Sequence, residues 1–507
     1  MTSTAPQHDG QRRNILFLLT DQHRVDTLGC YGNTRISTPA LDRLAATGTR
    51  FDRWYTPTAI CTPARASLLT GQAPFRHRLL ANYERNVGYL EDLREGQFTF
   101  AQALQEEGYR TGLVGKWHVG TNKTAADYGF EGPTLPGWHN PVDSPDYLAY
   151  LAQNGYPPYE IHDRIRGVLP NGSPGNLLAA RLNQPEEATF EYYLAERAIT
   201  MLRDYAAGRR SEGTPFFLGL HYFGPHLPYL LPDEYFDMYD PSQIELPASV
   251  QEDFLGKPPV QRNYSKHWTF DTIPIETSRK LIAVYWGYVT LIDRQIGRVL
   301  DALDELGLSD DTAVFFSSDH GEFTGAHRLH DKGPAMYEDI YRTAGIIRVP
   351  GMPPGQVSDE FVTHTDATAT ILALAGADTR PALDSRNLLP LVGGEDVDWQ
   401  QDVLCEFHGH HFPYPQRMLR DRRYKLVVNP ESVNELYDLE ADPDELHNRY
   451  EHPEFEEIRA RMMHRLYTAL VERGDNFYHW MTSMYDVGGV RYDPSMSGLD
   501  ESSYPVR

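Results

Sequence analysis

Four apolar runs, NILFLLT at 14–20, TGLVGKW at 111–117, PFFLGLHYF at 215–223 and TAVFFSSD at 312–319, alternate along the chain with segments of helical periodicity. Each run is too continuous for a half-exposed strand, so each is expected to be a strand buried on both faces. Between and after them, TPALDRLAATG, FTFAQALQEEG, the long TSRKLIAVYWGYVTLIDRQIGRVLDALDELG and TDATATILALAG read as helices with recognisable caps. The alternation predicts an α/β fold in which helices cover both faces of one sheet. Past residue 375 a loop-like stretch precedes short strands at RMLRD, YKLVV and ELYDL and a helix in PEFEEIRARMMHRLYTALVERG, which predicts a small C-terminal α+β domain. The expected division is a flexible N-terminus at 1–11, the α/β domain at 12–375, a connecting segment at 376–400, the small domain at 401–474 and an aromatic-rich tail at 475–507. That tail carries more aromatic surface than a solvated terminus needs, so it is expected to pack on its own chain or on a second copy in a homo-oligomer.

A formal net charge of −24 argues against a nucleic-acid or anionic-membrane surface. An anionic substrate would therefore need a local basic pocket. The first residues, MTSTAPQHDGQRR, are polar, and the following ILFLL is too short for a signal-peptide core or a membrane span. Three cysteines, Cys30, Cys61 and Cys405, make no disulfide framework in a chain of 507 residues. These features together predict a cytoplasmic protein.

Open α/β sheets bind ligands beyond the carboxyl ends of their strands. NILFLLT ends in Asp21 and Gln22, TGLVG in Lys116, Trp117 and His118, the third strand leads to His226, and the fourth ends in Asp319 and His320 with Lys332 a short loop later. Any one of these is explained equally well by a turn. Together they supply acids and an amide for a divalent cation, and lysines and histidines for an anion. CTPARASLLTG, residues 61–71, adds a helix start: Thr62 suits the N-cap, Pro63 the first helical position and Gly71 the stop. Cys61 is then expected just outside a helix N-terminus, where unpaired N–H groups favour negative charge, with Arg65 one turn in. Taken alone, Cys61 reads as an ordinary buried cysteine.

CTPAR followed by LLTG resembles the signature of the type I sulfatases, and the likeness extends to NILFLLTDQ, GKWHVG, GPHLP, SSDHGE with HDKG, and YDLEADPDE, over roughly residues 12 to 450. The resemblance implies an alkaline-phosphatase-like fold: a large mixed sheet flanked by helices, with the small C-terminal α+β domain. It also implies that Cys61 is oxidised to formylglycine by a formylglycine-generating machinery, and that the 12–375 domain hydrolyses a sulfate ester. Residue by residue, it makes Asp21, Gln22, Asp319 and His320 the ligands of one divalent metal ion. Arg65 would hold the formylglycine, Lys116 and Lys332 would bind sulfate oxygens, His118 would act as the base and His226 as the acid on the leaving oxygen. Asn82 resembles an anion-contacting asparagine of some members, and reads equally as a turn residue.

Two positions depart from the common pattern. Gln22 and His320 stand where many members have Asp and Asn, so the metal set has two carboxylates and an imidazole. Family resemblance favours Ca2+, with Mn2+ or Mg2+ as alternatives, and an imidazole suits softer ions such as manganese or zinc. The same pattern resembles the choline sulfatases and phosphonate monoester hydrolases, so a phosphonate monoester or phosphodiester hydrolase is the second reading. A non-catalytic anion-binding homologue is the third. In CEFHGHHFPYPQR, His408, His410, His411 and Arg417 are expected near the pocket mouth, as substrate contacts or as a buried polar network. The expected substrate is a small sulfated sugar or another small organic sulfate.

Overall fold

A computed structural model describes residues 12–485 and 487, apart from 89, 138–140 and 379–382. The expected flexible segment at 1–11 and the tail beyond residue 487 lie outside the described residues. All four apolar runs are strands of one eight-stranded sheet, in the order Gln356–Thr363, Thr49–Tyr55, Arg342–Arg348, Thr312–Ser318, Asn14–Thr20, Phe216–His221, Arg110–Lys116 and Thr134–Leu135. Every neighbouring pair is parallel except the two made by Arg342–Arg348, so the sheet is mixed.

The apolar runs are continuous because alternate residues serve opposite faces. Leu16, Leu18, Leu218, Leu220 and Phe316 pack on one side with the helices Pro39–Thr47, Phe190–Glu212 and Ile275–Glu305. Ile15, Phe17, Phe217 and Phe315 pack on the other with Cys61–Thr70, Phe100–Glu106 and His364–Ala375. Register then aligns the functional ends: Thr20 pairs with Ser318 and Leu19 with His221, so Asp21 and Asp319 leave adjacent strands at the same edge.

Four strands of this sheet, at Thr49–Tyr55, Thr134–Leu135, Arg342–Arg348 and Gln356–Thr363, go beyond the sequence expectation, as does a second sheet of Ile161–Val168, Pro174–Leu182 and Tyr229–Pro232. Their sequences lack the unbroken apolar character of buried strands; TRFDRWY, for example, alternates buried with half-exposed residues. The last of these strands, Tyr229–Pro232, directly follows the loop that carries His226.

The C-terminal strands form a four-stranded antiparallel sheet, Asp402–His410, Phe412–Asp421, Tyr424–Val428 and Glu435–Asp438. Leu404, Leu419, Leu426 and Leu436 face the helix Glu456–Arg473 through Met462, Leu466 and Leu470. The alternate residues Val403, Cys405, Met418, Val427 and Tyr437 join the core of the large sheet. The expected connecting segment is more ordered in its contacts than a loop: Leu388, Val392 and Trp399 are buried. The described start of the tail packs on its own chain, with Phe477, Met481 and Val487 against the Glu456–Arg473 helix.

Candidate active site

The helix that begins CTPAR starts at Cys61, not after it, with Ile60 as N-cap and no side-chain cap of its own. This corrects the expected Thr62 cap. The capping oxygen comes from elsewhere in the chain: the Thr62 N–H donates to Oδ1 of Asn82 at 3.0 Å. Asn82 thus stands at the helix N-terminus beside Cys61, doing locally what a capping residue would do.

Cys61, Asp21, Asp319 and His320 are all buried, and their candidate ligand atoms lie within 4.8 Å of one another. The Sγ of Cys61 is 3.2 Å from Nε2 of His320 and 4.0 Å from Asp21 Oδ1. The His320 Nδ1–H donates to the Gly321 carbonyl at 2.9 Å, which turns Nε2 inward, the arrangement a metal-binding imidazole requires. Gln22 has a left-handed backbone, φ 64°. Its amide NH2 donates to Glu322, leaving Oε1 to accept from Lys332 Nζ at 3.2 Å. Two carboxylates and an inward imidazole nitrogen therefore converge beside Cys61, with the Gln22 amide oxygen turned toward Lys332, and these donor types fit one divalent cation.

Arg65 is buried between the two acids, donating from Nε to Asp319 at 2.9 Å and from Nη2 to Asp21 at 3.0 Å. Its Nη1 donates to the Lys116 carbonyl at 3.2 Å and meets His221 Nδ1 at 3.4 Å, so among the described contacts it grips the acids flanking position 61 and makes no hydrogen bond to Cys61 itself. Lys116 Nζ donates to Asp21 as well. Burial works to raise the Asp21 pKa, but Lys116, His226 and Arg65 outweigh it and hold the carboxyl well below its ordinary range. Asp319 goes the other way, pushed up by burial and by the Asp21 charge. Burial also opposes ionisation of the Cys61 thiol, yet Lys116, Lys332, His320 and a hydrogen bond with His118 bring its pKa well down. The pocket is built for negative charge at position 61. Burial works against protonation of His320, but Asp319 and Cys61 raise it to about 9.

His118 has a positive φ of 48° and packs under Gly137, where a Cβ would lie 2.2 Å from the imidazole Cγ. Its pKa falls to about 4, first through burial and then through Lys116. His226, half-buried, donates from Nδ1 to the Leu227 carbonyl at 2.5 Å, so Nε2 is left to accept from Lys332 Nζ at 2.8 Å. Lys332 is also paired with Asp331 at 3.0 Å.

The CEFHGHH segment divides. His410 is buried beside the pocket, hydrogen-bonded to Tyr264 at 2.9 Å, with burial, Asp331, Lys332 and Cys61 all acting on its pKa. His411 stacks on it, ring centroids 3.9 Å apart, and is exposed. His408 and Arg417 are each paired with an acid: His408 with Glu406 at 2.8 Å, and Arg417 with Asp475 at 2.6 Å. Those acids lie in the packed interior, so Arg417 belongs to a buried network. Sequence reasoning missed Glu322, which orients Gln22, and His221, whose Nδ1 meets the Lys116 carbonyl at 3.2 Å. Glu322 stands two residues after His320 in SSDHGE, and its burial, not its type, marks it; burial and Asp331 raise its pKa to about 8.

Residues 13–377 match the family model described as Sulfatase, and residues 325–472 match N-sulphoglucosamine sulphohydrolase, C-terminal. An uncharacterized sulfatase of Escherichia coli, YidJ, is 31% identical over 488 residues, covering 93% of this chain and 90% of that protein. A choline-sulfatase of Rhizobium meliloti is 29% identical, covering 87% of this chain and 83% of its own length. A phosphonate monoester hydrolase of Silicibacter pomeroyi superposes with a TM-score of 0.74 at 27% identity, covering 92% of this chain and 96% of that one. A family match spanning most of the chain, on the alkaline-phosphatase-like fold and with the CTPAR cysteine beside two buried carboxylates and an imidazole, makes this sulfuric ester hydrolase a member of the type I sulfatases.

Proposed function

We propose that this sulfatase hydrolyses a small organic sulfate ester to alcohol and sulfate with a formylglycine made from Cys61 and one divalent metal ion. The observation that carries the reading is Cys61 itself: at the first position of a helix, 3.2 Å from His320 and within the field of Lys116 and Lys332. Cys61 Sγ stands where the oxygens of the hydrated aldehyde would lie. That diol supplies one hydroxyl to attack sulfur and a second whose proton is lost as the sulfate departs and the aldehyde returns.

The chain's own residues divide the remaining work. Asp21, Gln22, Asp319 and His320 would hold the metal, which supplies charge stabilisation to the sulfate oxygens. Ca2+ is the first choice, with Mn2+ or Mg2+ next. Arg65 keeps the two acids apart and fixed. Lys116 and Lys332 bind sulfate oxygens as negative charge builds. His118, kept neutral by burial and hydrogen-bonded at position 61, takes the diol proton. The Lys332–His226 pair holds the proton for the leaving oxygen. Asn82 orders the Cys61 helix start and borders the anion, while His410 and His411 border the mouth.

The domain division and a cytoplasmic location belong to this reading; Cys30 and Cys405 stand as free thiols, and no described helix is long and apolar enough to cross a membrane. A second reading, phosphonate monoester hydrolysis, draws support from the Gln22 and His320 departures and the phosphonate monoester hydrolase neighbour. Turnover of 4-nitrophenyl sulfate beside 4-nitrophenyl phenylphosphonate by the matured enzyme tests the two. A higher kcat/KM on the phosphonate would reverse their order, and no turnover of either would overturn both.

A further inference from the structure

A chamber of 380 Å³ opens beside the sulfate site, and among the described residues Lys116 and His226 form the wall the two share. The rest of its lining is largely apolar: Ile161, Leu177, Leu182, Phe190, Phe223 and Leu230. Four of these, Ile161, Leu177, Leu182 and Leu230, come from the second sheet, whose strand Tyr229–Pro232 starts three residues after His226. A group bonded to an oxygen that receives its proton at His226 would therefore enter this chamber.

One buried acid interrupts the apolar wall. Glu191, in the first turn of the helix Phe190–Glu212, is 5% exposed and lines the chamber. Tyr288 donates to its Oε1 at 2.6 Å, and among the described residues no other side chain donates to this carboxyl. Gly224 permits that contact, since a Cβ there would lie 2.5 Å from the Tyr288 ring. Burial raises the Glu191 pKa, with the Tyr288 hydrogen bond working against it. A carboxyl at the wall of a largely apolar cavity, held by Tyr288 and its own backbone N–H, keeps further acceptor capacity for whatever fills the space.

We propose that this chamber receives the alcohol portion of the ester, and that the alcohol is an aromatic or otherwise apolar one carrying a single hydrogen-bond donor that pairs with Glu191. The proposal rests on the sulfatase reading and narrows its substrate class away from sulfated sugars. A sugar would bring several hydroxyls against a wall that is mostly apolar, where beyond the shared Lys116 and His226 the polar side chains are Glu191, Tyr159 and Tyr288, and each unpaired hydroxyl costs free energy. A ring bearing one donor leaves none unpaired.

The test uses the formylglycine-containing full chain with three esters: 4-(hydroxymethyl)phenyl sulfate, 4-methylphenyl sulfate and glucose 6-sulfate. The hydroxymethyl ester should show a KM about tenfold below the methyl ester, the scale of one good hydrogen bond. Glu191→Gln, which keeps the volume, should shrink that ratio. Leu182→Trp, which fills the chamber, should raise the KM of both aryl esters about tenfold or more and leave inhibition by inorganic sulfate unchanged. A kcat/KM on glucose 6-sulfate equal to or above the aryl values overturns the chamber assignment alone, as does an unchanged aryl KM in Leu182→Trp. Failure of the parent enzyme to turn over any of the three overturns the sulfatase reading and the chamber proposal with it.

Discussion

Nε2 of His320 and Sγ of Cys61 stand 3.2 Å apart although 259 residues separate them in the chain. The contact joins the end of a central strand to the start of a helix on one face of the sheet. It places the cysteine proposed as the formylglycine precursor among the side chains proposed to bind the metal.

Cys61→Ala should abolish ester turnover, because alanine supplies neither thiol nor aldehyde. The fold should survive with a loss of about 1 kcal/mol, since one small buried group is removed. Mass spectrometry of the peptide spanning Cys61 should show the aldehyde in the active parent. Parent-level activity in the alanine variant, or an active parent carrying only thiol, would refute the mechanism.

Asp319→Asn should lower metal content as well as activity. The substitution removes one of two carboxylates from the set and leaves Arg65 with Asp21 alone. Metal analysis of the purified variant against the parent reads this directly, and chelation of the parent should remove activity in parallel. Equal metal content in the two proteins would contradict the ligand assignment.

His226→Ala should slow esters of poorly acidic alcohols by about 10² to 10⁴ in kcat, and activated aryl sulfates far less. A leaving oxygen that already stabilises its charge needs no proton from the Lys332–His226 pair. The dependence of kcat on leaving-group pKa should steepen in the variant. A uniform loss across the series would place His226 in sulfate binding instead.

Glu252→Gln should destabilise the fold by about 3 kcal/mol in urea unfolding, because the ammonium of Lys257 would be left buried with only the Glu445 carbonyl and the weaker amide. Burial acts to raise the Glu252 pKa, but His327 and Lys257 bring it down from 4.5 to about 2. The unfolded chain therefore takes up this proton first as pH falls. The contribution is whole above about pH 4.5 and is lost as the pH drops through 2, so the variant should show a flatter acid limb of stability than the parent. Identical acid limbs would sink the assignment.

Removing residues from Asp475 onward should lower the melting temperature. It strips Phe477, Met481 and Val487 from the Glu456–Arg473 helix and leaves Arg417 without its closest acid. A melting temperature within a degree of the parent would show that these contacts contribute nothing.

Local sequence was enough for the four central strands, because burial on both faces demands unbroken apolar runs such as NILFLLT and TAVFFSS, and for the polar residues that end them. Sequence also singled out Cys61, Arg65, the two lysines and the candidate metal ligands through the CTPAR, GKWHVG and SSDHGE stretches, and the fold brings Cys61, Asp21, Asp319 and His320 together. What it could not decide depends on partners far along the chain. The cap of the Cys61 helix is Asn82 and not the adjacent Thr62, Gln22 is aimed by Glu322, and Arg417 is spent on Asp475. The second sheet, weakly patterned and partly exposed, becomes a chamber wall only where the loop carrying His226 delivers a strand to it. Glu191 reads in sequence as an ordinary acid in the first turn of a helix, and only packing against Tyr288 and the apolar wall makes it a buried one. Residue type sets which groups can do chemistry; the loss of water around them, which only the folded chain imposes, sets which of them do.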